Sequence, residues 1–236
     1  MELKKRISTK KRFIVRIVSI LLLTFPSCVC VPEIETPKIV VPTEFATIQL
    51  INAIWGNEEY TISSEYGNII SGFKYGDSTQ KKVAAGLNNL KLVSGRDSTI
   101  LYNAFASFTK DLHYTFILFG TPERLQALLL CDTISNYISN NVYLRCVHVA
   151  TGVPAVIFNL KDAYNIPINC RYRESSEFMP IPSGNFNIEI VNSETNASIV
   201  SLNNVPLKSE KKYYLILRGL FSNNNYNKVS SQLIEF

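Results

Sequence analysis

Tyr114-Thr115-Phe116-Ile117-Leu118-Phe119-Gly120 decides the fold, because the chain writes it twice: Tyr213-Tyr214-Leu215-Ile216-Leu217-Arg218-Gly219 answers it near the C-terminus. Working outward, other blocks repeat in the same order. Ile48-Gln49-Leu50-Ile51-Asn52 is answered by Leu144-Arg145-Cys146-Val147-His148. The stretch from Gly72 to Gln80, followed by Lys81-Lys82-Val83-Ala84-Ala85-Gly86, corresponds to Cys170–Glu177 followed by Pro180-Ile181-Pro182-Ser183-Gly184. A period near 100 residues is too long for a solenoid unit and suits a whole β-domain, so the chain is read as a tandem of two.

Between these blocks lie short runs rich in Val, Ile, Tyr, Phe and Thr, cut by Gly, Asn, Ser and Pro clusters. Strands at that spacing predict an all-β protein of two tandem Ig-like antiparallel β-sandwiches. The first repeat takes residues 45–133 and the second 134–236, each large enough to fold alone. Strands are expected near 46–54, 58–63, 68–75, 79–84, 87–94, 98–105, 112–119 and 124–132. Their partners fall near 142–150, 154–159, 166–173, 176–181, 185–192, 197–203, 211–218 and 228–236. Leu125–Cys131 is helical on propensity alone, but its repeat partner, ending in Gln232-Leu233-Ile234-Glu235-Phe236, favours a strand. Gly86 and Gly184 fall where a turn calls for positive φ, which is costly for residues with a Cβ. Strand alternation places Ile48, Leu50 and Asn52 on one face, matched by Leu144, Cys146 and His148.

Residues 1–27 read as a lipoprotein-type signal peptide. Lys4, Lys5, Arg6, Lys10, Lys11, Arg12 and Arg16 precede the apolar run Ile17–Phe25, which meets Pro26-Ser27-Cys28. That run is too short to span a membrane. A small residue before cysteine at its end resembles the bacterial lipoprotein cleavage box, so Cys28 is the expected lipidation site. Of the 24 basic residues seven lie in this segment, against Glu2 alone of the 19 acidic ones. The formal +5 therefore becomes about −1 after cleavage, which removes the charge argument for nucleic-acid binding. Residues 28–44, with prolines at 32, 37 and 42, read as a stalk.

Arg145-Cys146-Val147-His148-Val149-Ala150 followed by Pro154-Ala155-Val156-Ile157-Phe158 resembles the first two strands of the bacterial domain-of-unknown-function family 4397. Tyr75-Gly76-Asp77, Ala84-Ala85-Gly86 and Tyr114-Thr115-Phe116 are similar to its later blocks, and the likeness covers most of residues 45–236 in two copies. The resemblance implies an envelope lipoprotein or secreted protein built of Ig-like sandwiches, with no established activity. It transfers no functional residue. The first copy departs from the family at Trp55-Gly56-Asn57, where Ser-Pro-Asp is usual.

Catalytic chemistry finds few candidates. The two histidines, His113 and His148, lack metal-ligand spacing. His148, with Cys146 and Cys170 as its conceivable fellow ligands, aligns with Asn52, which points to a side chain that bonds strand-end backbone in both copies. His113 aligns with Lys212 and opens a strand, a solvated position. Gly-x-Ser-x-Gly, phosphate loops and dinucleotide fingerprints are absent. Glu58-Glu59 reads as a solvated pair. Cys30, Cys131, Cys146 and Cys170 allow three full pairings that sequence does not choose between, with buried free thiols the default. Asp77-Ser78-Thr79, Asp97-Ser98-Thr99 and Asp132-Thr133-Ile134 resemble a short O-glycosylation signal. The polar loop Asn223-Asn224-Asn225-Tyr226-Asn227 reads as a turn. Trp55, the sole tryptophan, falls in the first strand-to-strand loop, either as a stacking platform for a sugar ring or as a plug for the sandwich end.

The sequence thus reads as a non-enzymatic, cofactor-free envelope lipoprotein, anchored to a membrane through lipid, whose partner is an envelope protein or a glycan. The alternative is a structural spacer of an envelope complex without ligand recognition. An exposed aromatic platform would favour ligand binding, and an exposed apolar sheet face or edge would favour docking. Cys28→Ala is expected to stall processing or to move the protein from the detergent phase to the soluble fraction. Unchanged partition with cleavage elsewhere would remove the lipoprotein reading.

Overall fold

The computed structural model describes residues 41–134, 137–161, 166–222 and 228–236, all within one unit beginning at Val41. The signal segment, Cys28, Cys30, most of the stalk and residues 223–227 lie outside the described residues. So do residues 135–136, in the expected connection between repeats.

The strands, in chain order, are β1 (Phe45–Ile54), β2 (Tyr60–Ser64), β3 (Gly67–Phe73), β4 (Ser78–Ala84), β5 (Gly86–Ser94), β6 (Ile100–Phe108), β7 (His113–Thr121) and β8 (Arg124–Cys131) in the first repeat. The second repeat supplies β9 (Asn141–His148), β10 (Val156–Leu160), β11 (Ile166–Cys170), β12 (Glu174–Ser175), β13 (Met179–Pro182), β14 (Gly184–Asn192), β15 (Ser198–Leu207), β16 (Lys212–Gly219) and β17 (Val229–Glu235). Leu125–Cys131 is a strand, as its repeat partner requires. The first repeat forms sheets ordered β4-β1-β7-β8 and β3-β2-β5-β6. The second forms β12-β9-β16-β17, with β13 also on β9, and β11-β10-β14-β15. Each repeat is thus a β-sandwich.

Three details depart from the strand-by-strand reading. β1 runs parallel to β7, and β9 to β16, whereas the other ladders are antiparallel. Strands so far apart in sequence need no hairpin, so nothing local fixes their relative direction. The strand expected near 166–173 ends at Cys170, because Arg171–Glu174 turns with Arg173 at φ 72°. The strand expected near 176–181 is broken: the Cys146 N–H donates to Ser176 Oγ at 3.0 Å, and Glu177 and Phe178 leave the ladder. Gly86 has the anticipated positive φ, 96°, while Gly184 at 158° is almost extended.

The two parallel ladders share a register: Ile48 stands opposite Tyr114 as Leu144 stands opposite Tyr213. Alternate side chains of these strands fill the two sandwich cores. Ile48, Leu50, Phe116 and Leu118 enter the first, and Leu144, Cys146, Leu215 and Leu217 the second. The opposite faces are also buried. Ile51, Ala53, Ile117 and Phe119 pack with Val147, Val149, Tyr214, Ile216 and Ile234 in a third apolar cluster between the sandwiches. Both central sheets are therefore covered on both faces, which explains the near-continuous apolar runs of β1, β7, β9 and β16.

The sandwiches meet through equivalent patches, as two subunits do across a two-fold axis. Tyr75 and Tyr172 hold equivalent positions, and each reaches across to the other repeat. The Tyr172 ring lies edge-on to Phe119 at 6.0 Å and its hydroxyl accepts from Gln126 Nε2 at 3.3 Å. The Tyr75 ring lies under Arg218, at 4.4 Å, and its hydroxyl bonds Ser230 at 3.4 Å. Phe119 corresponds to Arg218 and Gln126 to Ser230 in the two ladders.

A buried polar group closes the joint at the other end of the strands. Asp132 accepts from Thr115 Oγ1 at 2.8 Å and from the Tyr214 hydroxyl, while Arg145 Nη1 lies 3.7 Å from Asp132 Oδ1. Arg145 also bonds Cys131 O at 3.0 Å and Glu177 at 3.2 Å, with its guanidinium 4.4 Å from the Phe178 ring centroid. Burial raises the Asp132 carboxyl above the usual range despite these donors. Burial, with Asp132 alongside, likewise raises the Tyr214 phenol.

The third cluster couples the two halves, since separating them would bare a large apolar face. Ile216→Ala, at a fully buried position, should cost about 2–4 kcal/mol. In a calorimetric scan the wild-type chain should melt in one transition, with the variant's single Tm lower by roughly 5–15 °C. Two separate transitions in the wild type would show that the sandwiches are uncoupled.

Candidate functional site

The loop end of the first sandwich is built on the β1–β2 connection. Asn52, buried at the end of β1, accepts the Ile54 N–H at 2.9 Å and donates to Phe73 O at 3.0 Å, so it ties this loop to the end of β3. Trp55 follows, its N–H donating to Gly120 O at 2.8 Å. The equivalent bond in the second repeat, Thr151 N–H to Gly219 O at 2.9 Å, makes Thr151 the counterpart of Trp55. Trp55 is half-buried, its ring edge-on to Tyr75 at 5.2 Å. Thr151 meets the equivalent tyrosine through a 3.4 Å hydroxyl contact with Tyr172.

Tyr75 is fixed by the β3–β4 turn. The Lys74 N–H donates to Asp77 Oδ2 at 2.8 Å, the Asp77 N–H returns to Lys74 O at 3.0 Å, and the Gly76 N–H donates to Asn52 O at 2.8 Å. Gly76 has φ 93°, and a Cβ there would stand 3.0 Å from Arg218 Nη1. Trp55, Tyr75 and Arg218 thus form a ring–ring–guanidinium row that crosses from one sandwich to the other. Sequence reading singled out Trp55 but not its two neighbours. Their signal was present in the repeat, where Arg218 stands at the position held by Phe119.

The β1–β2 connection continues past Trp55 into a cleft of about 300 Å³ lined by Asn57, Glu58, Glu59, Ser94, Gly95 and Arg96. The Gly95 N–H donates to Glu59 O at 2.8 Å, so close that a Cβ would meet that oxygen at 2.7 Å. Arg96 pairs with Glu58 at 3.1 Å and Lys74 with Glu59 at 2.8 Å, both at the surface. Glu58 and Glu59 are therefore paired to cations. Burial, then the neighbouring Glu58, pushes the Tyr60 phenol up to about 12, so it stays a donor to that carboxylate.

The other candidates lie elsewhere. His148, fully buried, accepts the Ala150 N–H at Nδ1 (3.3 Å), so Nε2 carries the proton and donates to Pro154 O at 2.9 Å. It caps the backbone two residues on, as Asn52 does in the first repeat. Cys146 and Cys170 are buried free thiols in the second core, and Cys131 is an exposed one. His113 is exposed and borders clefts of about 280 and 380 Å³ at the far end of the strands, the second lined also by Lys212 and Tyr137. Among the described residues no three His, Cys, Asp or Glu groups are arranged to hold a metal ion. Of the three aspartate motifs, Asp97-Ser98-Thr99 is exposed throughout, whereas Asp132 is enclosed in the joint.

The chain matches the family model described as a domain of unknown function (DUF4397) over residues 46–159, which spans the first sandwich and β9 and β10 of the second. Curated proteins give no match. Among solved structures, the chain is similar to CBMbc (family CBM26) of Eubacterium rectale Amy13K in complex with maltoheptaose, at 11% identity and TM-score 0.26, covering 80% of this chain and 96% of that one. It is also similar to a putative cell adhesion protein from Bacteroides eggerthii, at 9% identity and TM-score 0.20, covering 83% and 96%.

Burial holds the His148 imidazole below its ordinary pKa, so the fold keeps the ring neutral while the unfolded chain takes up a proton below about pH 6.5. Its contribution is complete above that pH and is lost as pH falls toward the depressed folded value. His148→Asn should keep the fold, since Asn52 fills the same role. It should also remove this part of the acid sensitivity, seen as a smaller loss of stability from pH 6.5 to 5 in urea titrations. An unchanged pH profile would contradict the assignment.

Proposed function

We propose that the protein is a non-catalytic cell-envelope lipoprotein, held to a membrane through Cys28, whose rigid pair of β-sandwiches presents a surface that binds a glycan. The observation that carries this reading is Trp55. The repeat asks only for a threonine-sized side chain at that position, yet the first copy places an indole there. That indole rests on Tyr75, and the same connection runs on into a cleft of amide, carboxylate and guanidinium groups. Aromatic rings offer stacking area at low entropic cost, and flanking polar groups serve a sugar's hydroxyls. The basic and apolar N-terminal run supports the address, and the deeply seated His148 supports the absence of acid–base chemistry.

A second reading is favoured by a different surface. On the outer sheet of the first sandwich, Leu87, Ile100 and Phe105 are 64%, 54% and 71% exposed. The register places Asn185 and Ser198 at the positions equivalent to Leu87 and Ile100, and the irregular Asn203-Asn204 pair at that of Phe105. β6 is an edge strand without proline or charge, the kind of edge that natural proteins usually blunt. An apolar patch on such an edge suits docking of another envelope protein, the spacer or assembly role.

The two readings separate on paired variants of the lipidated protein. Trp55→Ala should abolish retention on the glycan while barely moving Tm, and Leu87→Asn with Phe105→Ser should leave glycan retention intact. If the outer-sheet variant instead loses a protein captured from native membranes, and Trp55→Ala loses stability, Trp55 is a packing residue and the docking role takes precedence.

A further inference from the structure

Arg218 is an arginine that the repeat does not require. Its counterpart Phe119 packs on Tyr172 without charge, so the fold accepts a neutral side chain at this register. Arg218 is half-buried above Tyr75, and its Nε and Nη1 are enclosed with no hydrogen-bond partner. Among the described residues no carboxylate pairs with it, and burial lowers its pKa. Enclosing guanidinium nitrogens without acceptors costs stability, and charged groups held at such a cost cluster at functional sites. Gly76 suits the arrangement, because its φ of 93° disfavours any other residue and a Cβ there would press on the guanidinium at 3.0 Å. Nη2 is the guanidinium nitrogen that is not enclosed.

We infer that Arg218, Tyr75 and Trp55 form a subsite for an acidic sugar, resting on the glycan-binding reading above. Arg218 donates a charge-assisted hydrogen bond from Nη2 to the carboxylate of a uronic acid unit, and Trp55 supplies the apolar contact for the neighbouring ring. The subsite takes the cation from the second sandwich and the rings from the first, so it exists only while the two are packed together. An acidic polypeptide shares the carboxylate but has no use for the indole beside it.

The test uses the chain from Cys28 onward, with polygalacturonic acid, neutral dextran and poly-glutamate as probes. Affinity electrophoresis and the emission of Trp55, the chain's sole indole, are the readouts. Polygalacturonate should retard the wild type and shift its emission, dextran should do neither, and added salt should weaken the effect. Arg218→Met, which keeps a stem over Tyr75, should lose about tenfold or more in affinity, the worth of one charge-assisted bond, with Tm unchanged or raised. Arg218→Lys should retain part of the binding. Equal retention on dextran, or unchanged binding by Arg218→Met, would overturn the acidic subsite and leave the glycan reading standing. Retention on poly-glutamate alone, or on no probe, would overturn both. A Tm loss in Arg218→Met like that of a core truncation would make Arg218 a packing residue.

Discussion

Ile51, Ala53, Ile117 and Phe119 leave the first sandwich on the side of its sheet opposite its own core, and Val147, Val149, Tyr214 and Ile216 leave the second in the same way. A sheet that is apolar on both faces cannot face water on either, so each sandwich needs a partner of matching shape. The repeat supplies that partner within the same chain. The result is a stack of four sheets in which the inner two are enclosed, and the relative placement of the sandwiches is set by packing rather than by the connection between them. Interfaces of this apolar kind do not slide or hinge as polar inter-domain contacts do. Every feature that draws residues from both repeats depends on this contact.

The equivalent patches do not stay equivalent in chemistry. At one end of the strands, Gln49 and Thr115 of the first repeat correspond to Arg145 and Tyr214 of the second, and the latter pair encloses Asp132. Removing a carboxylate from water is costly, and the hydrogen bonds from Thr115 and Tyr214 with the nearby Arg145 offset that cost only in this geometry. The polar joint therefore specifies one arrangement of the sandwiches more than it strengthens them. At the other end, Tyr75 and Tyr172 make the same reach to different receivers, a guanidinium and a phenyl ring. Matching strand registers with divergent side chains make the two ends of the joint chemically different.

Much of the fold was legible in the sequence because the repeat doubled each signal. Leu125–Cys131 is ambiguous alone, yet its partner at the C-terminus makes it a strand. Asn52 and His148 differ chemically, and only their shared position reveals the common capping role. Other features left no local mark. The parallel pairing of β1 with β7 depends on strands that no turn connects. The broken β12–β13 edge depends on Ser176 capturing a backbone N–H. Binary alternation identified one buried face of β1 and β9, but the second face is buried by contact with the other repeat, a tertiary event. Trp55 stood out as a lone indole, whereas Tyr75 and Arg218 became part of its site only when packing brought the two repeats together.

A tandem repeat also carries its own control for separating packing from function. Where both copies keep a residue type, as at Tyr75 and Tyr172, the architecture accounts for it. Where one copy carries a larger or charged side chain and the other a small or neutral one, the architecture has already been satisfied without it. Trp55 against Thr151 and Arg218 against Phe119 both meet that criterion, and both contact the same tyrosine ring. Leu87, Ile100 and Phe105 meet it too, on a surface that water covers. A buried substitution of this sort can be absorbed by repacking, but a half-buried guanidinium without an acceptor and an exposed phenyl ring are both disfavoured by solvent. Their presence in one copy only is therefore not a demand of the shared fold.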